Sequence, residues 1–116
     1  MDRDKILVTA QKLVDKGKLD KAAEEYKKLV AAEPDDTRTW IKLAQLYEKL
    51  DRRLDAFDAH AKAGDIYARE GFQLKAIAAW RAALGLDARG QAARELKKRV
   101  RESYTRLGLP VPDDLS

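Results

Sequence analysis

The residues with the greatest potential for catalysis or metal binding are few and scattered in this sequence. His60 is the only histidine, and the absence of cysteine excludes disulfides, thiolate metal sites and thiolate nucleophiles. His60 lies between Ala56 and Gly64 on an apolar segment, where we expect it to pack inside the fold rather than act as a base or a ligand. The six glycines lie far apart, which excludes a glycine-rich phosphate loop. We therefore predict no enzyme activity, no metal site and no cofactor.

The composition is typical of one helical domain. Charged residues make up 38% of the 116 residues and apolar residues 45%, with only three prolines. A chain of this length can bury about two-thirds of its unfolded surface in a single core. No apolar stretch has the length of a signal-sequence core or of a membrane span. The sequence therefore predicts a cytoplasmic protein without a membrane span.

The net charge of +4 is concentrated near the C terminus. Between Arg89 and Leu107, seven arginines and lysines are opposed only by Glu95 and Glu102, whereas residues 1–88 are nearly neutral. The basic character therefore belongs to one terminal segment.

A period of 34 residues is the clearest pattern in the chain. The first set of recurring residues comprises Ile6, Ala10, Leu13, Gly17, Ala22 and Tyr26, and the second comprises Trp40, Ala44, Tyr47, Asp51, Ala56 and His60. Similar residue types return after only 20 further residues, at Gly64, Tyr67 and Gly71. A period of this length is typical of stacked helical hairpins.

Breaker residues and apolar spacing predict six helices, at about 3–16, 19–32, 38–50, 53–70, 73–86 and 91–107. Pro34 ends the second helix, and Asp36 offers a capping side chain for the third. An inward stripe on the fifth helix is predicted to comprise Leu74, Ile77, Trp80, Ala83 and Leu84. Residues 1–108 would form a single domain. The tail, residues 109–116, contains two prolines and is predicted to be extended or disordered.

These residues resemble the tetratricopeptide repeat (TPR) family over about residues 3–107. The family signature is Trp-x2-Leu-Gly-x2-Tyr, then Ala-x3-Phe, then Pro. The second unit is the closest match, with Trp40, Leu43, Ala44 and Tyr47 in place. Matches in the other units are Ala22, Tyr26 and Pro34, then Gly64, Tyr67, Ala76, Trp80 and (in the proline position) Ala88, and finally Val100 and Tyr104.

The resemblance implies an all-α fold of antiparallel helical hairpins, with about three degenerate units and a C-terminal capping helix. Small residues such as Ala10, Ala44 and Gly64 would lie where helices cross closely. The shortened spacing between Tyr47 and Tyr67 has two interpretations. Either the third unit is degenerate, or one longer helix over 53–70 ends the second unit and begins the third. The unchanged spacing among Gly64, Tyr67 and Gly71 favours the shared helix.

The resemblance also implies a non-catalytic adaptor or scaffold that binds a short helical or extended segment of another protein. In this family the first helix of each unit lines the groove. The corresponding positions here are Leu7, Gln11, Val14, Arg38, Ile41, Lys42, Gln45, Glu48 and Lys49. The third unit would add Asp58, Ala61, Lys62, Asp65 and Arg69. The apolar members, Leu7, Val14 and Ile41, indicate either a partly hydrophobic groove or side chains that cover the core.

One mode of the family, capture of a terminal carboxylate by Lys and Asn, is not expected, because Leu7 and Gln11 occupy those positions in the first unit. An alternative is electrostatic binding of an anionic partner, an acidic protein or a nucleic acid, through Arg94, Lys97, Lys98 and Arg101. Nucleic acid is the less favoured partner because aromatic residues for base stacking are missing. The same charges are also compatible with a solvated terminal face. A third alternative is a homo-oligomeric assembly unit.

Overall fold

The computed structural model describes residues 2–87 and 89–116, and the fold consists of six helices with no strand in that part of the chain. The helices are α1 (Arg3–Asp15), α2 (Leu19–Ala32), α3 (Thr37–Lys49), α4 (Arg53–Arg69), α5 (Gln73–Leu86) and α6 (Gly90–Arg106). A 3-10 turn, Asp113–Leu115, follows α6. The six predicted helices are confirmed to within one or two residues at each end. Ala88, in the predicted proline position, lies outside the described residues.

The starts of α1 and α3 repeat the sequence period in their hydrogen bonds. The Asp2 carboxylate accepts the Lys5 backbone N–H at 3.1 Å, and the Asp36 carboxylate accepts that of Thr39 at 3.3 Å. Each aspartate satisfies an amide that has no partner inside its helix and places negative charge at the positive end of the helix dipole. The two first helices thus begin with the same cap.

The C-terminal ends of α1, α3, α4 and α6 also share one geometry. Each is followed by a residue with positive φ: Gly17, Asp51, Gly71 and Gly108. The next backbone N–H then reaches back five residues, as in Lys18 to the Leu13 carbonyl at 2.8 Å. This arrangement is the Schellman motif. Helices α2 and α5 end differently: their C-cap residues, Glu33 and Asp87, have negative φ.

Helix α4 begins like α2 and α5 but ends like α1 and α3. Its N-cap, Arg52, has φ −97° and ψ 76°, close to the values at Lys18 (−88°, 67°) and Phe72 (−90°, 72°) that precede α2 and α5. Its other end has the Schellman geometry of the first helices. The shared fourth helix is therefore confirmed: α4 begins as the second helix of one unit and ends as the first helix of the next.

The core has two parts, and α4 contributes to both. Ala56 and Ala59 of α4 belong to a cluster with the buried residues of α1, α2 and α3. Phe57 belongs to a second cluster with the buried residues of α5 and α6. Close packing on this side depends on Gly64, because a Cβ atom there would overlap the indole of Trp80. The predicted close crossing at Gly64 is confirmed.

One prediction of side-chain burial was wrong, and the tail has more structure than the sequence indicated. Leu74 was expected to face inward, yet it is 66% exposed, because it lies in the first turn of α5 where no neighbouring helix covers it. The tail is extended only as far as Pro112, after which Leu115 is 2% exposed and packs in the second cluster. The Arg101 guanidinium donates to the Leu115 carbonyl at 2.9 Å. The two prolines disfavour an α-helix in residues 109–112, but they do not prevent the tail from packing against the apolar residues of α5 and α6.

Candidate functional site

Part of the predicted groove forms an open concavity of about 180 Å³ between α1 and α3. Five of the nine predicted groove residues line it: Gln11, Val14, Lys42, Gln45 and Lys49. Its floor is formed by Tyr26 of α2 and Leu46 of α3, which are both buried. We name this concavity, with these seven residues, the α1–α3 groove.

The side chains of the α1–α3 groove combine an apolar floor with a polar rim. The Lys42 ammonium lies 5.7 Å from the centroid of the Tyr26 ring, a distance typical of a cation–π contact. Burial raises the pKa of Tyr26 above its ordinary range, which already keeps a tyrosine hydroxyl protonated at neutral pH. Gln11 donates to Asp15 at 2.9 Å, while the Gln45 amide is exposed and makes no hydrogen bond to another described residue. The rim can therefore offer amide and ammonium donors to a bound chain.

The other predicted groove residues lie elsewhere. Leu7 is half-buried and packs against the first core cluster, as does Val14, which also reaches the groove. Ile41 is half-buried but belongs to neither cluster. Arg38 and Glu48 are exposed on α3, outside the concavity. Of the two interpretations of the apolar positions, core covering describes Leu7.

His60 has the surroundings of a packing residue. It is 8% exposed, and its Nε2 atom lies 3.1 Å from a Glu48 carboxylate oxygen across the α3–α4 contact. This contact links α3 and α4. Residues 2–87 and 89–116 contain no group of three or more His, Cys, Asp or Glu side chains placed to hold a metal ion.

A larger cleft of about 540 Å³ lies between α4 and α6. We name it the α4–α6 cleft; its lining comprises Lys62, Asp65, Ala68, Arg69, Gln73, Trp80, Arg99, Glu102, Ser103 and Arg106. It shares no residue with the α1–α3 groove. Three third-unit positions from the sequence, Lys62, Asp65 and Arg69, are gathered here. Ala61 instead packs against the second cluster, and Asp58 faces a separate cleft on the α2 side.

The contribution of α6 to this cleft was missed by the sequence reasoning. Val100 and Tyr104 match the first-helix pattern, and that match was the available signal that α6 could line a groove as α1 and α3 do. Which α6 residues would face α4 was not evident, because it depends on how the two helices cross. The structure places Arg99, Glu102 and Arg106 there.

The predicted basic patch lies on other faces of α6 and is partly covered. Arg94 and Lys98 are exposed, whereas Lys97 is half-buried beside the tail. Arg101 is held by the Leu115 carbonyl, and Asp114 of the tail forms an ion pair with Arg81 at 2.9 Å. The tail therefore reduces the continuous basic surface that the sequence indicated.

Comparison with known proteins agrees with this architecture. A family model described as TPR repeat matches residues 10–51. The solution structure of a tetratricopeptide repeat domain protein from Salinibacter ruber is 28% identical, with a TM-score of 0.64, covering 78% of this chain and 91% of that one. Both matches confirm the resemblance to the tetratricopeptide repeat family that the sequence predicted. Tetratricopeptide repeats generally form protein-interaction modules, and the matches support that general assignment for this chain.

More distant matches add little. A crystal structure of the MamA protein is 21% identical, with a TM-score of 0.44, and the match covers 89% of this chain and 62% of that one. No curated protein sequence matches the chain. Among the described residues, no helix is both long and apolar enough to cross a membrane.

Proposed function

We propose that this protein is a non-catalytic adaptor that holds a short segment of another protein, helical or extended, in the α1–α3 groove. The observation that carries the proposal is the convergence of five predicted groove residues from two helices around one open concavity. The domain would comprise residues 1–108 together with the tail that packs on it, and we propose that it works in the cytoplasm.

The chemistry of the groove suits a segment with one apolar side chain among polar ones. Tyr26, Leu46 and Val14 offer an apolar floor, and burying one large apolar side chain there would contribute about 1.5–3 kcal/mol. Gln45 can exchange hydrogen bonds with the backbone of a bound segment, because its amide carries both donors and an acceptor. Ile41 lies on α3, as Gln45 does, but its half-buried side chain is outside the concavity.

Site-specific photo-crosslinking tests the proposal. A photoreactive amino acid placed at Gln45 should capture a discrete segment in native lysate, and mass spectrometry should map that segment. The matched control carries the same amino acid at Lys28, which is exposed on α2 and outside the groove. We expect a product from position 45 that a synthetic copy of the mapped segment competes away.

A binding measurement with that synthetic segment completes the test. Gln45→Ala should weaken binding by about threefold, since a lost hydrogen bond of this kind is worth about 0.5–1.5 kcal/mol. Gln91→Ala, which removes an exposed glutamine from α6, should leave the affinity unchanged. Equal products from positions 45 and 28 would contradict the proposal, and a product formed with a second copy of this chain would show self-association instead.

A further inference from the structure

The α4–α6 cleft has an excess of positive charge. Lys62 and Arg69 of α4 and Arg99 and Arg106 of α6 face it, whereas its only described carboxylates are Asp65 and Glu102. Asp65 is already occupied, because it pairs with Arg99 at 3.0 Å and accepts the Trp80 indole N–H at 3.1 Å. The carboxylates of the lining therefore do not neutralise its cations.

Two of the four cations are paired with carboxylates, and a third lies near an aromatic ring. The Arg99 guanidinium stacks on Trp80 at 4.6 Å from the ring centroid, and the Lys62 ammonium lies 6.0 Å from the centroid of Trp40. Arg69 pairs with Asp35 at 2.7 Å. Side chains that are already ordered lose less conformational entropy when a ligand binds. The cleft is therefore partly preorganised.

Two of the cations have no carboxylate partner. Neither Lys62 nor Arg106 forms an ion pair with any residue in the described parts of the chain. They belong to different helices and face the same open volume of about 540 Å³, which has room for several side chains. A ligand that carries two or more spaced negative charges could pair with both.

We propose that the α4–α6 cleft is a second binding site, which takes an acidic segment of another protein. Spaced carboxylates fit the lining better than a nucleic acid does, because Glu102 would repel a continuous run of phosphates. Among the described residues of the lining, no exposed aromatic ring is present for base stacking, since Trp80 is 2% exposed beneath Arg99. Gln73 adds an amide that can bond the backbone of the segment.

Fluorescence anisotropy with defined probes tests this site. The probes are short fluorescein-labelled peptides of alternating Glu and Gly, of Gln and Gly, and of Lys and Gly, and a single-stranded DNA of similar length. The acidic peptide should bind, and its affinity should fall as the salt concentration rises. The variant with Lys62→Glu and Arg106→Glu should lose roughly tenfold or more in affinity, because each reversal turns an attraction into a repulsion.

The control variant carries Arg94→Glu and Lys98→Glu, which change the net charge equally but lie outside the cleft. Its affinity should change by less than about threefold, the effect expected of net charge alone. An equal loss in both variants would overturn the proposal in favour of unspecific attraction to the basic helix. Absence of binding by the acidic peptide, or tighter binding of the DNA, would also overturn it.

A gain of affinity provides a test that a misfolded variant cannot imitate. Glu102→Gln removes the unpaired carboxylate from the cleft, and we expect the acidic peptide to bind about two- to fivefold more tightly. Glu95→Gln, on an exposed face of the same helix, makes the same charge change and should have a smaller effect. Equal gains would contradict the proposal. Because this cleft and the α1–α3 groove share no residue, either site can fail its test without the other.

Discussion

Single residues set the distances between helices in this fold, and Gly64 is the clearest case. It occupies the position where the repeat calls for a small side chain, and the Trp80 indole fills the space that a Cβ atom would need. The same indole donates to Asp65 and supports Arg99. The geometry of the α4–α6 cleft therefore depends on a residue that has no side chain.

Gly64→Ala should destabilise the protein by about 1–3 kcal/mol, because the added methyl group must displace Trp80 in a closely packed region. Chemical denaturation followed by circular dichroism measures the change. The matched control is Gly85→Ala in α5, where a Cβ atom would meet nothing within 4 Å. That variant should gain about 0.5–1 kcal/mol from helix propensity. A neutral or stabilising effect at position 64 would show that the Trp80 contact does not limit the helix spacing.

At the residue scale, the sequence predicted where the repeat needs a small residue, but it did not predict which apolar side chains line the groove and which cover the core. The role of Gly64 follows from the repeat, since the family pattern requires a small residue there. The role of Leu7 could not be predicted from the sequence. Groove-lining and core-covering positions are neighbours on one face of α1, and an apolar residue fits either position. Only the packing of α2 and α3 against α1 distinguishes them.

The helices themselves are defined at their ends by a small set of backbone conformations. Positive φ occurs after α1, α3, α4 and α6, and three of these helices have a glycine there. The exception is Asp51, with a φ of 57°. A side chain in this conformation is strained relative to glycine, although aspartate tolerates it better than most residues.

Asp51→Gly should therefore stabilise the protein by up to about 1 kcal/mol, while the greater freedom of glycine in the unfolded chain offsets part of the gain. Gly71→Ala, at the equivalent position after α4, should destabilise it by about 1 kcal/mol. Thermal denaturation of the two variants measures both effects. A loss of stability in Asp51→Gly would mean that the aspartate side chain contributes more than the strain costs.

At the element scale, the helix bounds were predictable because the signals that end helices are local. Gly17, Pro34 and Gly71 act within a few residues of the chain, and no tertiary contact is needed to interpret them. The position of the tail was not predictable in the same way. Pro110 and Pro112 disfavour an α-helix, but the burial of Leu115 depends on how α5 and α6 pack together, which the tail sequence does not indicate.

In the whole molecule, α4 connects two core clusters that would otherwise be separate. It supplies Ala56 and Ala59 to one cluster and Phe57 to the other. Repeat proteins are stabilised by contacts between neighbouring units, and here one helix carries core contacts of both clusters. We therefore expect the two halves to unfold together.

Leu115→Ala tests this coupling, because it truncates a side chain buried in the second cluster. The expected destabilisation is about 2–4 kcal/mol, from lost apolar contact and a residual cavity. Leu109→Ala, at a position that is 42% exposed, should cost less than about 1 kcal/mol. Hydrogen exchange in the Leu115→Ala variant should accelerate equally in the most protected amides of α2 and α5. Acceleration confined to α5 and α6 would show that the halves open independently.

The shared helix also bears on how such a chain can change in length. A regular array can gain or lose one 34-residue unit, because every unit brings both of its own helices. Here a deletion of both helices of the third unit would also remove α4, which the second unit needs as its second helix. The core clusters beneath the α1–α3 groove and the α4–α6 cleft thus meet in α4, and we expect a deletion that removes this helix to damage both sites.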